Sequence, residues 1–173
     1  SGHTYEAYQL FSGTVAEGTL TEVNWGSGIQ GAELLAALQE ENTEVAHPTK
    51  AGEKTTLAAQ FKDAKTANDV AEVIKTWGND SELLDLFAEV AGEYLTKVCA
   101  TSTEGTGNKY SFSLQPGYYL IKDRVTSGDP LVNDFYTKFL IMLTDKTDAE
   151  VKGDVPTVTK KVSHNLSNNY GPS

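Results

Sequence analysis

The apolar residues of this chain change their period twice. Near the start, His3 to Phe11 reads HTYEAYQLF, where Tyr5, a short gap, then Tyr8, Leu10 and Phe11 fit a half-buried strand. In the middle, Ala67, Val70, Ala71, Ile74 and Trp77 recur at i, i+3, i+4, i+7 and i+10, the stripe of an amphipathic helix. From Tyr110 onward alternation returns, with Tyr110, Phe112 and Leu114 separated by serines. Successive strand residues face opposite sides, while a helix brings residues three and four apart onto one side. The chain is therefore strands, then helices, then strands.

Punctuation refines that order. Ser12-Gly13 is expected to end the first strand, and Thr14 to Trp25 reads as a hairpin around Ala16-Glu17-Gly18. Asn24 to Gly28 is a turn. Ala32, Leu34, Leu35 and Leu38 mark a short helix ending in Glu40-Glu41, and Leu57 to Phe61 marks another helical piece. Gly78 is the expected C-cap of the striped helix, and Asp80 or Ser81 the N-cap of the next, which is expected to run to about Ala100. After a Thr101–Lys109 loop, Gln115-Pro-Gly117 is a turn and YYLIK at 118–122 a strand. Asp123 to Asn133 is a loop, and Phe135 to Thr144 is the most apolar strand, expected at the centre. This order lacks the regular alternation of a parallel βαβ sheet. It predicts a mainly β fold, an antiparallel sandwich with a helical insertion at about residues 29–100.

Composition excludes several functions. The 173 residues carry a formal net charge of −10, which argues against a phosphate-binding surface and against attraction to anionic membranes. Cys99 is the single cysteine, so no internal disulfide forms, and its apolar neighbours predict a small buried side chain on a helix. Nucleotide, P-loop, zinc-protease and nucleophile-elbow motifs are absent from the sequence. His3, His47 and His164 lie far apart. The acid pairs Glu40-Glu41 and Asp145/Asp148 fall in loops or at helix ends, and Asp145, Thr147 and Asp148 lack the ligand count of a dedicated calcium site. Trp25, Tyr118, Tyr119 and Tyr136 are weighed as a sugar platform and assigned to core packing. The expectation is a protein without catalytic residues, metal or cofactor.

The stretch VKGDVPTVTKKV at 151–162 raises amine chemistry. A protonated lysine is a poor nucleophile, yet an exposed one serves as acceptor when another enzyme brings an activated acyl group. Lys152 precedes Gly153-Asp154 and Pro156 and is expected to be exposed. Lys160 and Lys161 lie in TVTKKV, which alternates like the opening strand of a further sheet. One of that adjacent pair must face inward, which is costly unless it is paired or consumed by reaction.

Four segments in order, HTYEAYQLFSG, WGSGI, LQPGYYLIKD and PTVTKKV, resemble the N-terminal domain of backbone pilins, the isopeptide-forming fimbrial proteins of Gram-positive, sortase-assembled pili. The resemblance runs from about His3 to Val162. It implies an Ig-like (CnaB-related) sandwich, export, polymerisation with neighbouring pilin subunits by a pilus-specific sortase, and an extracellular, cell-wall-anchored location. By position, Lys152 resembles the sortase acceptor, and Lys160 or Lys161 resembles the isopeptide lysine of a following domain. VKGD departs from the family's YPKN in lacking the aromatic and the proline before the lysine. The expected organisation is residues 1–153 as the pilin domain and 154–173 as a linker with the first strand of the next. No internal isopeptide is expected within residues 3–150, because the opening strand holds no lysine and YSFSLQ holds no acid. A second reading keeps the chain as a tip or minor pilin that binds a host surface ligand through loops 24–28, 101–109 or 123–133.

Overall fold

The computed structural model describes residues 3–79, 81–107, 109–125, 138–144, 147–152, 158–159 and 162–163. The chain opens with β1 (His3–Ala16) and β2 (Thr19–Trp25). The middle holds α1 (Gly31–Glu40), a small hairpin of β3 (Val45–Ala46) and β4 (Lys54–Thr55), α2 (Leu57–Phe61), α3 (Ala67–Lys75) and α4 (Glu82–Ala91). Then follow β5 (Ala100–Thr101), β6 (Thr103–Glu104), β7 (Lys109–Leu114), β8 (Gly117–Val125), β9 (Lys138–Leu143), β10 (Thr147–Lys152), β11 (Val158–Thr159) and β12 (Val162–Ser163). The fold is mainly β, with antiparallel sheets and a few helices. One sheet runs β12-β9-β8-β1-β2, with β5 also on β1, and the second runs β11-β10-β7-β6.

The six-stranded sheet is buried on both faces. Tyr5, Ala7, Tyr119, Ile121 and Ile141 meet Tyr110, Phe112 and Leu114 of the smaller sheet. On the opposite face Phe11, Leu20, Tyr118, Leu120 and Met142 meet Leu34, Phe61, Trp77 and Phe87 from the helical stretch. This explains why YYLI has no alternation: Tyr118, Tyr119, Leu120 and Ile121 are all fully buried, as a strand covered on both sides must be. The middle of the sheet is therefore β8 with β1. The described part of the 135–144 strand, β9, lies outside β8 and is flanked by β12.

β1 corrects the expected break at Ser12-Gly13, since it continues to Ala16. Two register shifts make that possible. Between Gln9 and Phe11 a bulge inserts Leu10, so Phe11 turns to the helical side although Tyr5 and Ala7 face the smaller sheet. Between Ser12 and Thr14 the extra residue sits on β2, where Glu22 takes a φ of 51°. A side chain on Gly13 would meet the Thr21 carbonyl oxygen at 2.8 Å, so this crossing requires glycine. The β1–β2 turn is Glu17-Gly18 with φ of 52° and 77°, the double positive φ of a tight hairpin.

The helices follow their caps. In α3, Thr66 and Asp69 form a reciprocal capping box that the stripe alone does not reveal. The C-cap is Thr76, two residues before the expected Gly78. Ser81 caps α4 by accepting the Leu83 N–H at 3.1 Å. α4 stops at Ala91 and not near Ala100, because Gly92 caps it and the following backbone pairs elsewhere: Gln30 N–H donates to the Tyr94 carbonyl and Thr96 N–H to the Gly28 carbonyl. Cys99 consequently lies on no helix. It is exposed just before β5, with its N–H on the Ala7 carbonyl, so the expected burial is corrected.

Helix α3 also protects the edge of β2. The Val23 N–H donates to Asn68 Oδ1 at 3.0 Å, and Lys75 Nζ donates to the Leu20 carbonyl at 3.1 Å. An edge strand left open invites pairing with other chains, and two α3 side chains occupy these groups here.

Candidate functional site

β7 places its residues by simple alternation: Tyr110, Phe112 and Leu114 are buried, while Lys109 and Ser113 are exposed. β10 pairs with it over its full length, from Thr147 opposite Leu114 to Lys152 opposite Lys109. The expected acceptor, Lys152, is thus the last residue of a strand whose backbone is held by an antiparallel ladder. Its Cα partner Lys109 was not legible as a neighbour, because the pairing depends on a register set 43 positions apart in the chain. Residues 153–157 then connect β10 to β11, which returns with Val158 opposite Val151 and Thr159 opposite Glu150.

Lys160 and Lys161 lie outside the described residues. Their neighbours do not: β11 pairs with β10, and β12 pairs with β9 through Val162–Leu143 and Ser163–Met142. The segment expected to start a following domain thus reaches an edge of each sheet of the first.

The opposite side is bridged differently. β5 pairs with β1 and β6 with β7, and Ser102 between them ties to Tyr5 in both directions. Its N–H donates to the Tyr5 carbonyl and its Oγ accepts the Tyr5 N–H, each at 2.9 Å. The expected 101–109 loop is therefore partly a strand that passes from one sheet to the other.

Among the described residues, the remaining candidates do not converge on one catalytic group. Glu41, of the Glu40-Glu41 pair, accepts the Thr43 hydroxyl at 2.6 Å and the Thr43 N–H at 3.1 Å, which hold its carboxyl below the usual range. His47 Nδ1 accepts the N–H groups of Thr49 and Lys50, both at 3.1 Å, which closes its own loop. His47 also lines a cleft of about 310 Å³ with Pro48, Asn79 and Glu82. His164 lies outside the described residues, as do Tyr136, Asp145 and residues 126–133 of the expected loop. Among the described residues, no three His, Cys, Asp or Glu side chains come together as a metal-binding group. Likewise no described helix is long and apolar enough to cross a membrane.

Of the aromatic residues weighed as a sugar platform, the described ones, Trp25, Tyr118 and Tyr119, pack in or against the core. Trp25 stacks on buried Phe11 at 5.2 Å between centroids, and Tyr118 packs against Phe11 at 5.8 Å. Burial raises the Tyr118 phenol pKa. Tyr119 donates its hydroxyl to the Gln115 carbonyl at 2.8 Å and accepts from Gln9 Nε2 at 3.4 Å. Burial, reinforced by Cys99, pushes its pKa up to about 12. The turn at Asn24–Gly28 is fixed to the β1 bulge, since Gly26 N–H donates to the Leu10 carbonyl and Gly28 N–H to the Gln9 carbonyl. Compared with protein-family models, with curated proteins and with solved structures, the chain matches none.

Proposed function

We propose that this chain is a structural domain of a covalently polymerised, cell-wall-anchored pilus, with an Ig-like sandwich that presents Lys152 to a pilus sortase. The observation that supports it best is the position of Lys152 at the end of β10. A sortase reaction requires an ε-amine that attacks an acyl-enzyme thioester, forming an isopeptide and releasing the enzyme thiol. The acceptor needs a fixed backbone, and the β10–β7 ladder holds the backbone up to Lys152. A polymer subunit also needs no cofactor or acid–base pair of its own, since the sortase supplies the chemistry.

Lys152→Arg keeps the charge and removes the primary amine. In a strain or purified system with the cognate sortase, this variant is expected to abolish the ladder of covalent multimers. A ladder that persists in Lys152→Arg but disappears when Lys160 or Lys161 is replaced moves the acceptor role there. A ladder indifferent to all three overturns the proposal in favour of a tip or minor subunit.

A further inference from the structure

The loop between β3 and β4 is closed by a side chain that can change its charge. His47 Nδ1 accepts the N–H groups of Thr49 and Lys50, both at 3.1 Å. Backbone N–H groups only donate, so Nδ1 carries no proton in this geometry, and a neutral ring holds its proton on Nε2. The same loop has two backbone closures, His47 N–H to the Glu53 carbonyl at 2.9 Å and Glu53 N–H to the Lys50 carbonyl at 3.1 Å. The hairpin beneath it is short, pairing Val45 with Thr55 and Ala46 with Lys54. A ring that takes a second proton becomes a donor at both nitrogens. It then meets two N–H groups with an N–H of its own, and both bonds to Nδ1 are lost.

We propose that His47 is an acid-sensitive latch: protonation of its imidazole releases residues 47–52 while the core stays in place. Burial separates the two. Val45 is buried in the core and anchors β3, whereas Thr49, Lys50, Ala51 and Gly52 are exposed, so opening the loop uncovers no apolar core. Among the described residues, Glu44, Lys50, Glu53 and Lys54 belong to the same hairpin, and Glu82 of α4 lines the cleft that His47 and Pro48 also border. Glu82 offers a released, charged ring an opposite charge across that cleft. The proposal stands apart from the acceptor role of Lys152, since it concerns only this hairpin and the cleft beside it.

The test is NMR of the 15N-labelled chain between about pH 8 and about pH 5. At the upper end the His47 ring is expected to show a bare Nδ1 and a protonated Nε2 in long-range 1H–15N spectra, and a protonated Nδ1 overturns the proposal. As the ring charges, the heteronuclear NOE of Thr49, Lys50 and Ala51 is expected to fall at the ring's own midpoint, with the amides of β1 and β8 unmoved. NOE values that stay level, or that fall only together with the core amides, overturn it. His47→Asn separates the charge from the bonds, since Asn Oδ1 stands as far along the side chain as Nδ1, can accept the same two N–H groups and does not titrate. This variant is expected to keep the loop ordered across the range, and a variant loop that loosens in acid as the wild type does refutes the latch. Where the variant loop is mobile at every pH, the wild type decides: coincident ring and loop midpoints support the latch, and separate midpoints refute it.

Discussion

Gly31→Ala opposes two effects at one position, and the geometry decides between them. Gly31 opens α1, where replacing glycine by alanine ordinarily stabilises by about 0.4–1 kcal/mol through the unfolded chain. Here a Cβ would lie 2.5 Å from Trp25 Cδ1 and closer still to Cγ and Cδ2. Carbon atoms pack at about 3.5–4.0 Å, so the indole must retreat by roughly 1 Å. The indole is partly buried and stacks on Phe11, which is itself fully buried and packs against Tyr118, so a retreat disturbs that contact. Overpacking of a filled core costs about 1–3 kcal/mol. The net expectation is a loss of about 1–2 kcal/mol, or a midpoint lowered by about 2–8 °C for a chain of this size. Urea and thermal unfolding monitored by tryptophan fluorescence measure it. Gly78→Ala is the control, since a Cβ there meets nothing within 4 Å. A double cycle with Trp25→Leu adds a second readout: the smaller side chain is expected to relieve most of the Gly31→Ala penalty. A Gly31→Ala protein as stable as the wild type or as Gly78→Ala refutes the close-approach argument, and so does strict additivity with Trp25→Leu.

Other outcomes follow from single interactions. Asn68→Ala removes the acceptor of the buried Val23 N–H and is expected to cost about 1–3 kcal/mol, with faster exchange of that amide in hydrogen-exchange NMR. Thr66→Ala breaks the capping box and is expected to cost about 1 kcal/mol in chemical denaturation. Asp69 accepts the N–H groups of Lys65 and Thr66, which hold its carboxyl below the ordinary value of 3.8. A depressed folded pKa means that its contribution is present above the unfolded value and is lost as pH falls through the folded one. The stability difference between wild type and Asp69→Ala is therefore expected at neutral pH and is expected to shrink in strong acid. Intact mass spectrometry is expected to show no loss of ammonia attributable to residues 3–150, and a deficit of one ammonia mapped there by digestion contradicts the absence of an internal isopeptide.

Local periodicity and caps made much of the architecture legible. The stripe from Ala67 to Trp77 has one helical solution, and its residues line one buried face. The Glu17-Gly18 turn and the alternation of Tyr110, Phe112 and Leu114 likewise read directly, because each signal lies within a few residues. The site was legible only as a list of lysines. That Lys152 ends β10 opposite Lys109 depends on strand register, which no local pattern encodes.

The misplaced boundaries share one cause. The apolar run through Tyr94, Leu95 and Val98 looks helical, yet the carbonyl of Tyr94 and the N–H of Thr96 are taken by the Gly28–Gln30 backbone, about 65 positions earlier. Ser12-Gly13 looks like a stop, yet β1 continues past it, because β2 comes so close there that the Thr21 carbonyl oxygen leaves room only for a residue without a side chain. By itself the sequence determined the order of strand-like, helical and turn segments, though not all of their ends, since periodicity and caps act over one or two turns of backbone. Tertiary structure decided which strands meet, which of their faces are covered and where residues 158–159 and 162–163 pair. Those outcomes depend on backbone hydrogen bonds between distant segments, whose partners exist only once the chain has folded.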